Sequence, residues 1–283
     1  MESASPMSDS NGTMALFSLK GKTAIVTGVA ASGLGFSIAQ VLAEAGANVA
    51  IMYNSNKSAI EAAESIERTC NVKCQAYQVD ITKQEDVQAS ITQIVHDFNG
   101  RLDVFVANSG MVWSEGAAID SSISHYHEVM STNLDGVYYC AHAAGQHFRR
   151  QAQEKTAITG ACLTGFTQGS FIATASMSGH IVNVPHIQAA YNVSKAGVIH
   201  LCKSLAVEWA GFARANSVSP GYIESGLTGS APEDIKDLLR DKTPMRRIGH
   251  PDELKGAYVY LASDASSFTT GADIIVDGGY CLL

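Results

Sequence analysis

The chain has 283 residues, of which 46% are hydrophobic and 16% are charged, so it is able to bury a large core. The formal net charge of −8 and a pI near 5.5 argue against a nucleic acid or an anionic membrane surface as a partner. We therefore predict no nucleic-acid partner and no membrane partner. The length permits one large α/β domain or two smaller domains.

The N-terminus and the cysteines indicate the compartment. Residues 1–15 are small, polar and acidic, without the basic start and the apolar run of a signal peptide. No stretch approaches the roughly 18 consecutive apolar residues of a membrane span. Six cysteines are scattered along the chain without the spacing of a metal site, which predicts buried, reduced thiols and no bound metal. We predict a cytoplasmic protein with a disordered tail over residues 1–16.

A glycine-rich loop follows the first predicted strand, which covers residues 22–26. The loop reads TGVAASGLG and leads into a helix that runs to Gly46. A strand, a glycine loop and a helix N-terminus together present backbone N–H groups to a phosphate. A glycine loop of this kind is also common as a plain turn. If the loop holds a phosphate, the contacting residues are Gly28, Ser32, Gly33, Leu34 and Gly35.

The end of the second predicted strand, over residues 48–53, indicates which nucleotide is bound. A dinucleotide site selective for NAD has a carboxylate here, which accepts hydrogen bonds from the ribose 2′-hydroxyl. This chain has Tyr53 instead, followed by Asn54, Ser55 and further polar residues. Without the carboxylate a 2′-phosphate is not repelled, and amide and hydroxyl groups can donate to it. We predict NADP(H) as the cofactor, with these three residues among its contacts; the alternative is a solvated polar turn.

Two reactive side chains are neighbours on an apolar helix predicted over residues 189–209. Tyr191 and Lys195 are four residues apart, so they project from one face of the helix. A free phenol titrates near pH ~10, and a nearby cation favours the phenolate, which moves proton exchange towards neutral pH. The spacing alone is weak evidence, because Tyr53 and Lys57 repeat it.

A pair of serines precedes this helix, directly after a buried-type strand predicted over residues 171–175. The two residues are Ser176 and Ser178. A serine hydroxyl that arrives from the end of this strand is able to hold a substrate carbonyl oxygen against the phenol of Tyr191. The strand, the serine, the tyrosine and the lysine therefore predict a site for proton transfer.

The order of these elements resembles the short-chain dehydrogenase/reductase family, in which a catalytic serine, tyrosine and lysine follow one another. The segments TGVAASGLG, ANSG, SPGYI and VDGGY strengthen the resemblance, which covers residues 17–283. Within the family the chain is most similar to fungal sorbose reductases, NADP-dependent mannitol 2-dehydrogenases and the stereoselective carbonyl reductases of yeasts. The resemblance implies NADPH-dependent reduction of a ketone. It also implies that Tyr191 is the proton donor, and that Lys195 lowers the tyrosine pKa and holds the nicotinamide ribose.

The resemblance gives two answers for the catalytic serine. The family's usual step of 13 residues before the tyrosine indicates Ser178, whereas the local pattern Ser-x-x-Gly indicates Ser176, three residues before Gly179. The loop that follows is similar to that of fungal ketose and carbonyl reductases, in which the step is longer. We predict that Ser176 polarises the carbonyl.

Asn133 lies in a helix predicted over residues 125–150, where asparagine is a poor helix former. The resemblance implies a fourth catalytic residue here, in a helical kink that holds a water molecule next to the lysine. An exposed asparagine without a role is the alternative. The resemblance also implies cofactor contacts beyond those named above: Asp80, Ile81, Asn108, Gly110, Tyr191, Lys195, Pro220, Gly221, Ile223 and Ser225.

Strands alternate with helices along the chain and lie near residues 23, 48, 72, 102, 170, 213 and 273. This alternation predicts an α/β fold over residues 17–283: a single Rossmann-type domain with a doubly wound, seven-stranded parallel sheet flanked by helices. Residues 151–168 are predicted to be a mobile surface insertion, and residues 224–249 a substrate lid. Trp113 is either a wall of the substrate pocket or a cover over the core.

The sequence is compatible with several substrate classes and with two oligomeric states. We expect a small-molecule carbonyl substrate: a ketose, a polyol-related compound or a natural-product ketone. The alternative is a catalytically silent NADP-binding regulator or scaffold with the same fold. Residues 134–144 and 191–209 are apolar on more than one helical face, and the C-terminal segment YCLL is apolar as well. The resemblance implies a homotetramer, with a dimer as the fallback.

Overall fold

A parallel β-sheet forms the centre of the computed structural model, which describes residues 12–224 and 232–282. Its strands are β1 Thr23–Thr27, β2 Asn48–Tyr53, β3 Cys74–Gln78, β4 Val104–Ala107, β5 Gly169–Thr174, β6 Ala213–Pro220 and β7 Asp273–Val276. They are arranged in the order β3-β2-β1-β4-β5-β6-β7, and every adjacent pair is parallel. The predicted seven-stranded, doubly wound α/β fold is therefore confirmed.

Helices cover both faces of the sheet. They are α1 Leu34–Glu44, α2 Ser58–Cys70, α3 Gln84–Asp97, α4 Ile123–Met130, α5 Gly136–Glu154, α6 Ala189–Glu208, α7 Glu233–Lys242 and α8 Lys255–Ala262. Helices α1, α2 and α8 pack on one face, and α3, α5 and α6 pack on the other, each face with its own hydrophobic cluster. A parallel sheet needs this double cover because its connecting helices place apolar surface against both sides.

Most central strands are runs of apolar and small residues rather than alternating patterns, although β6 also contains Arg214 and Asn216. Every residue of β1, β4, β5 and β6 is buried, whereas the edge strand β3 is partly exposed. Strand β1 pairs with β2 on one side and with β4 on the other, so the chain changes direction across the sheet between β1 and β4. Ligands of doubly wound folds bind in the crevice at this point, outside the carboxyl ends of the strands.

The helix predicted over residues 125–150 is divided into two. Helix α4 ends at Met130, a π-helical turn covers Ser131–Asp135, and α5 begins at Gly136. A π-helical turn adds one residue to the helical repeat and is frequently found at functional sites. Asn133 lies in the middle of this turn, so the predicted irregularity in the helix is present in the structure.

The segment predicted as a surface insertion begins later than residue 151. Helix α5 continues to Glu154, and the Gln151 side chain is buried, where its amide bonds both the N–H and the carbonyl of Leu102. Residues 155–168 then fold back on themselves, and the Ile158 N–H donates to the Gly100 carbonyl. This contact places the loop at the amino-terminal ends of the strands.

A buried ion pair fastens the same loop. The Asp103 carboxylate accepts from Nε of Arg101 at 2.9 Å and from the Thr23 N–H at 2.8 Å. Nη1 of Arg101 donates to the Thr164 carbonyl at 2.9 Å. Because each buried charge has hydrogen-bonding partners, the ion pair is able to exist in the core and to join β1, β4 and the loop.

Two predictions for the chain termini and the cysteines need correction. Residues Thr13–Phe17 form a 3₁₀-helix, so the tail predicted over residues 1–16 includes ordered chain; residues 1–11 lie outside the described part. All six cysteines are free thiols, but Cys162 is exposed, so the prediction that they are all buried is wrong. Within the described residues, no helix is long and apolar enough to cross a bilayer.

The predicted substrate lid contains a regular helix. Helix α7 occupies residues 233–242, and an isolated bridge pairs Ile223 with Gly249 at the base of the segment. Residues 225–231 lie outside the described part of the chain. Ser225, one of the predicted cofactor contacts, is among them.

Candidate active site

The glycine loop connects β1 to α1 and depends on two glycines in different ways. Gly28 has φ +70°, in the left-handed region, and a Cβ there would lie 2.7 Å from the Cα of Ser109. A Cβ on Gly35 would lie 2.5 Å from the Gly28 carbonyl oxygen. A side chain at either position would therefore push the loop away from the strands below it. Gly33 is the N-cap of α1, and Leu34 is its first residue.

A cleft of about 580 Å³ opens beside this loop and extends to the lid. Ala31, Ser32 and Gly33 line it on one side, and Lys236 and Arg240 of α7 line it on the other. Within the described residues, no side chain caps the N-terminus of α1. Lys236 and Arg240 are paired with Glu233 and Asp237 of their own helix, and Glu224 and Asp252 also line the cleft. The uncapped N–H groups at the start of α1, together with the glycine loop, fit the phosphate part of a dinucleotide.

The predicted cofactor contacts at the end of β2 differ in their exposure to solvent. Tyr53 is 8% exposed and packs with the cluster on the α1 face of the sheet, whereas Asn54 and Ser55 are exposed. The Ala31 N–H donates to Ser58 Oγ at 3.0 Å, which joins this turn to the glycine loop. The polar groups available to a 2′-phosphate therefore begin at Asn54, one residue after the position that the sequence identified.

Asn108 joins three central strands at their carboxyl ends. Its Nδ2 donates to the Thr27 carbonyl at 3.1 Å, and its Oδ1 accepts from the Thr174 hydroxyl at 3.1 Å. The backbone N–H of Asn108 donates to Oγ1 of Thr27 at 2.9 Å. Because β1, β4 and β5 are tied together in this way, the floor of the crevice is rigid. Gly110 follows, and a Cβ there would lie 3.4 Å from Nζ of Lys195.

Asp80 and Ile81 follow β3, also at the carboxyl-terminal ends of the strands. Oδ1 of Asp80 accepts from both the N–H and the hydroxyl of Thr82, and these bonds lower the pKa of the carboxyl. Ile81 is buried against Gly136, the first residue of α5. Asp80 is therefore ionised and half-buried beside the crevice.

Ser176, Tyr191 and Lys195 are brought together where β5 ends against α6. The Ser176 side chain acts on the Tyr191 phenol and lowers its pKa. Nζ of Lys195 lies 5.7 Å from the centroid of the Tyr191 ring and donates to the Thr174 carbonyl at 2.9 Å. The predicted constellation of serine, tyrosine and lysine is thus assembled at one point.

The electrostatics of this group differ in one respect from the expectation. Burial raises the pKa of Tyr191, and the hydrogen bond from Ser176 opposes that effect. Burial lowers the pKa of Lys195 to about 8. The sequence predicted that the lysine would make the phenol more acidic, but burial has the larger effect here. The phenol is therefore held in its protonated form at neutral pH.

Asn133 is fully buried, so the alternative of an exposed asparagine is wrong. Its Oδ1 accepts from the Met111 N–H at 2.8 Å, and its Nδ2 donates to the Met111 carbonyl at 2.9 Å and to Ser194 Oγ at 3.2 Å. The Ser194 hydroxyl donates in turn to the Tyr191 carbonyl at 2.7 Å. Asn133 therefore holds α6 and the segment after β4 in a fixed relation.

A group of amide side chains next to Ser178 was not identified from the sequence. Nε2 of Gln188 lies 3.0 Å from each of three acceptors, which are Ser178 Oγ, Asn183 Oδ1 and Asn192 Oδ1. Ser178 therefore belongs to this polar group, whereas Ser176 contacts the phenol. The sequence signal for this group is that the segment VNVPHIQAAYN contains three amide residues within a span of ten.

The remaining predicted positions lie around the same crevice. Trp113 is 3% exposed and packs in a small cluster with Val129 and Ala190 that also contacts Tyr191, so it covers a satellite core next to the site. The Gly221 N–H donates to the Val276 carbonyl, and a Cβ on Gly221 would lie 2.6 Å from the Cα of Asp277. Pro220 ends β6, and Ile223 is buried.

Comparisons with known proteins agree with this geometry. A family model described as Enoyl-(Acyl carrier protein) reductase matches residues 28–281. An L-xylulose reductase from Hypocrea jecorina is 62% identical over 94% of this chain and 92% of its own length. The chain belongs to the short-chain dehydrogenase/reductase family. As a member of this family it is an oxidoreductase that acts on alcohol and carbonyl groups.

Other members of the family are also similar over their full length. A probable NADP-dependent mannitol dehydrogenase from Yarrowia lipolytica is 49% identical over 96% of this chain and 92% of its own. The crystal structure of an NADPH-dependent 3-quinuclidinone reductase from Rhodotorula rubra superposes with a TM-score of 0.88. That reductase is 40% identical, with 99% of this chain and 98% of the other covered.

The two candidate serines of this short-chain dehydrogenase/reductase are distinguished by their partners. We expect Ser176→Ala to lower kcat by about 100-fold, the usual effect of removing one donor to a developing oxyanion. Ser178→Ala should lower kcat by less than about threefold, because the hydroxyl contacts the amide group. NADPH affinity, measured by fluorescence titration, should stay constant in both variants. A large loss in Ser178→Ala with a small loss in Ser176→Ala would reverse the assignment.

Proposed function

We propose that this protein reduces a ketone to a secondary alcohol with NADPH as the cofactor. The observation that carries the proposal is the buried group of Ser176, Tyr191 and Lys195 at the carboxyl end of β5, next to Asn133. A protonated phenol, a hydroxyl donor and an ammonium within one site are suited to protonation of a carbonyl oxygen. Retention of all four residues argues against a catalytically silent regulator or scaffold.

The roles follow from the contacts of each side chain. NADPH supplies the hydride when it is bound. Tyr191 donates its phenolic proton to the substrate oxygen, and the Ser176 hydroxyl donates a hydrogen bond to the same oxygen. Lys195 holds its charge beside the phenol and is available to the nicotinamide ribose. Asn133 fixes the start of α6, and with it the direction in which the phenol projects.

The cofactor proposal is supported by the residues after β2. No carboxylate is present in the run from Asn54 to Lys57, and the side chains of the run are exposed and able to donate hydrogen bonds. The relatives named for NADP and NADPH are similar to this chain over 96% and 99% of its length. The uncapped start of α1 supplies N–H donors and positive potential for the pyrophosphate.

A polyhydroxylated substrate agrees best with the polar side of the site. The amides of Asn183, Gln188 and Asn192 lie on the turn and helix that carry the catalytic tyrosine. Sugar hydroxyls are able to extend this hydrogen-bonded group, whereas an apolar ring offers it neither donors nor acceptors. The relatives named for L-xylulose and mannitol support the same class. We therefore propose a ketose or a polyol-related ketone.

Exposed apolar side chains support the proposed assembly. Tyr138 on α5 is 51% exposed, and Val193 and Val207 on α6 are 58% and 79% exposed. On the other edge, Leu282 is 84% exposed beyond β7. Apolar groups of this size on two faces favour two interfaces between copies. We propose a cytoplasmic homotetramer, with a dimer as the fallback.

A substrate panel tests the reaction. We expect NADPH oxidation, followed by absorbance, with ketopentoses and ketohexoses at higher kcat/KM than with a bulky cyclic ketone, because only the sugars offer hydroxyl groups to the amides. Tyr191→Phe should abolish turnover and retain NADPH binding, since it removes the transferable proton. Binding of NADPH without turnover of any ketone would support the silent scaffold instead.

Cofactor choice is tested at Asn54 because Tyr53 is buried. Asn54→Asp should lower the ratio of kcat/KM for NADPH to that for NADH by about tenfold, which corresponds to about 1.4 kcal/mol of repulsion with the 2′-phosphate. Asn71→Asp introduces the same charge at the far end of α2 and serves as the control. A wild-type protein that prefers NADH would contradict the cofactor proposal.

The assembly is tested by light scattering at micromolar concentration. The expected mass is four times the 29.9 kDa of one chain. Val207→Arg should reduce this mass because it places a charge in an apolar interface, while Ile60→Arg on the exposed face of α2 should leave it unchanged. A wild-type mass equal to one chain would refute both the tetramer and the dimer.

A further inference from the structure

A histidine outside the proposed catalytic group contacts the last strand of the sheet. His180 immediately follows the 3₁₀ turn Met177–Gly179, whose N-cap is Ser176. Its Nε2 lies 2.7 Å from Oδ2 of Asp273, and the Asp273 side chain is 7% exposed. The serine turn is therefore joined to β7 through one imidazole.

The Asp273 carboxylate is held from a second direction. Oδ1 accepts from the Ser217 hydroxyl and, at 2.9 Å, from the Ser219 hydroxyl, and both serines are buried on β6. Strand register places Ser217 directly opposite Asp273. The carboxylate is thus fixed by the sheet, and His180 uses it as an immobile anchor.

The other side of the turn packs on α6. A Cβ on Gly179 would lie 2.7 Å from Cδ1 of Ile199 and 2.9 Å from the backbone N of Ala196. The Ser178 N–H donates to Ser176 Oγ at 3.1 Å, which makes the catalytic hydroxyl part of the turn itself. The turn is therefore held between α6, next to Lys195, and the anchor on β7.

We propose that His180 is a positioning residue that sets the Ser176 hydroxyl against the substrate carbonyl through its hydrogen bond to Asp273. The proposal rests on the function proposed above, in which Ser176 polarises the carbonyl. A hydroxyl that donates to a reacting oxygen must be held within a fraction of an ångström, and small displacements are costly to the rate. Two fixed supports on opposite sides of the turn meet that requirement.

Replacing His180 by glutamine in one variant and by asparagine in another tests whether its hydrogen bond to Asp273 is what matters. Glutamine places an N–H at nearly the position of Nε2, whereas asparagine is too short to reach Asp273. We expect His180→Asn and His180→Ala to lower kcat by about tenfold or more, with KM for the ketone and the Kd for NADPH within about twofold. His180→Gln should retain more than about half of the wild-type kcat.

A double-mutant cycle tests whether His180 acts through the serine. If it does, His180→Ala should have little further effect on kcat in a Ser176→Ala background, so the two losses are not additive. A residue that only stabilises the fold would instead lower kcat by the same factor in both backgrounds. Thermal unfolding of each variant, with and without NADPH, provides a readout that is independent of turnover.

The control is His96→Ala, which removes an exposed histidine that lies 3.6 Å from Asp97 on α3. It should leave kcat and NADPH affinity unchanged. Wild-type kcat in His180→Asn, additive losses in the cycle, or a loss in His180→Gln equal to that in His180→Ala would each overturn the proposal. A Ser176→Ala variant with wild-type kcat would show that the serine assignment itself had failed.

Discussion

The burial of one ammonium group determines much of this structure. Lys195 is 3% exposed, and burial lowers its pKa from the ordinary 10.5 to about 8. The shift means that the folded protein holds this proton less tightly by roughly 3 kcal/mol. Such a position is tolerated because the ammonium donates to the Thr174 carbonyl and because the elements around it cannot move apart.

Several features of the fold serve that constraint. Asn108 ties the strand that ends at Thr174 to its neighbours, and Asn133 fastens the helix that carries the lysine. The π-helical turn allows the Asn133 amide to face Met111 rather than solvent. The tyrosine and the serine are then placed by the same contacts, since they share α6 and the end of β5 with the lysine.

The sequence predicted the sheet correctly, and it predicted that Tyr191 and Lys195 are neighbours, for a physical reason. Buried parallel strands consist mostly of apolar and small residues, and residues four apart on a helix are neighbours. Strands β1 and β5 and the pair of Tyr191 and Lys195 can therefore be recognised from the sequence alone. The burial of Tyr53 and the amide group around Gln188 are not visible, because they depend on contacts between distant or irregular segments. The direction of the Tyr191 pKa shift depended on how deeply the phenol is buried, which spacing does not encode.

The loop of residues 155–168 lies at the amino-terminal ends of the strands, whereas Ser176, Tyr191 and Lys195 lie at the carboxyl-terminal end. The Arg101 bond to Thr164 and the Ile158 bond to Gly100 join the loop to the chain just before β4 begins, and Nε2 of Gln168 donates to the Ser267 carbonyl. Sequence changes within the loop are thereby separated from the crevice by the full length of the strands. We therefore expect a peptide tag or an affinity handle grafted into this segment to leave turnover unchanged.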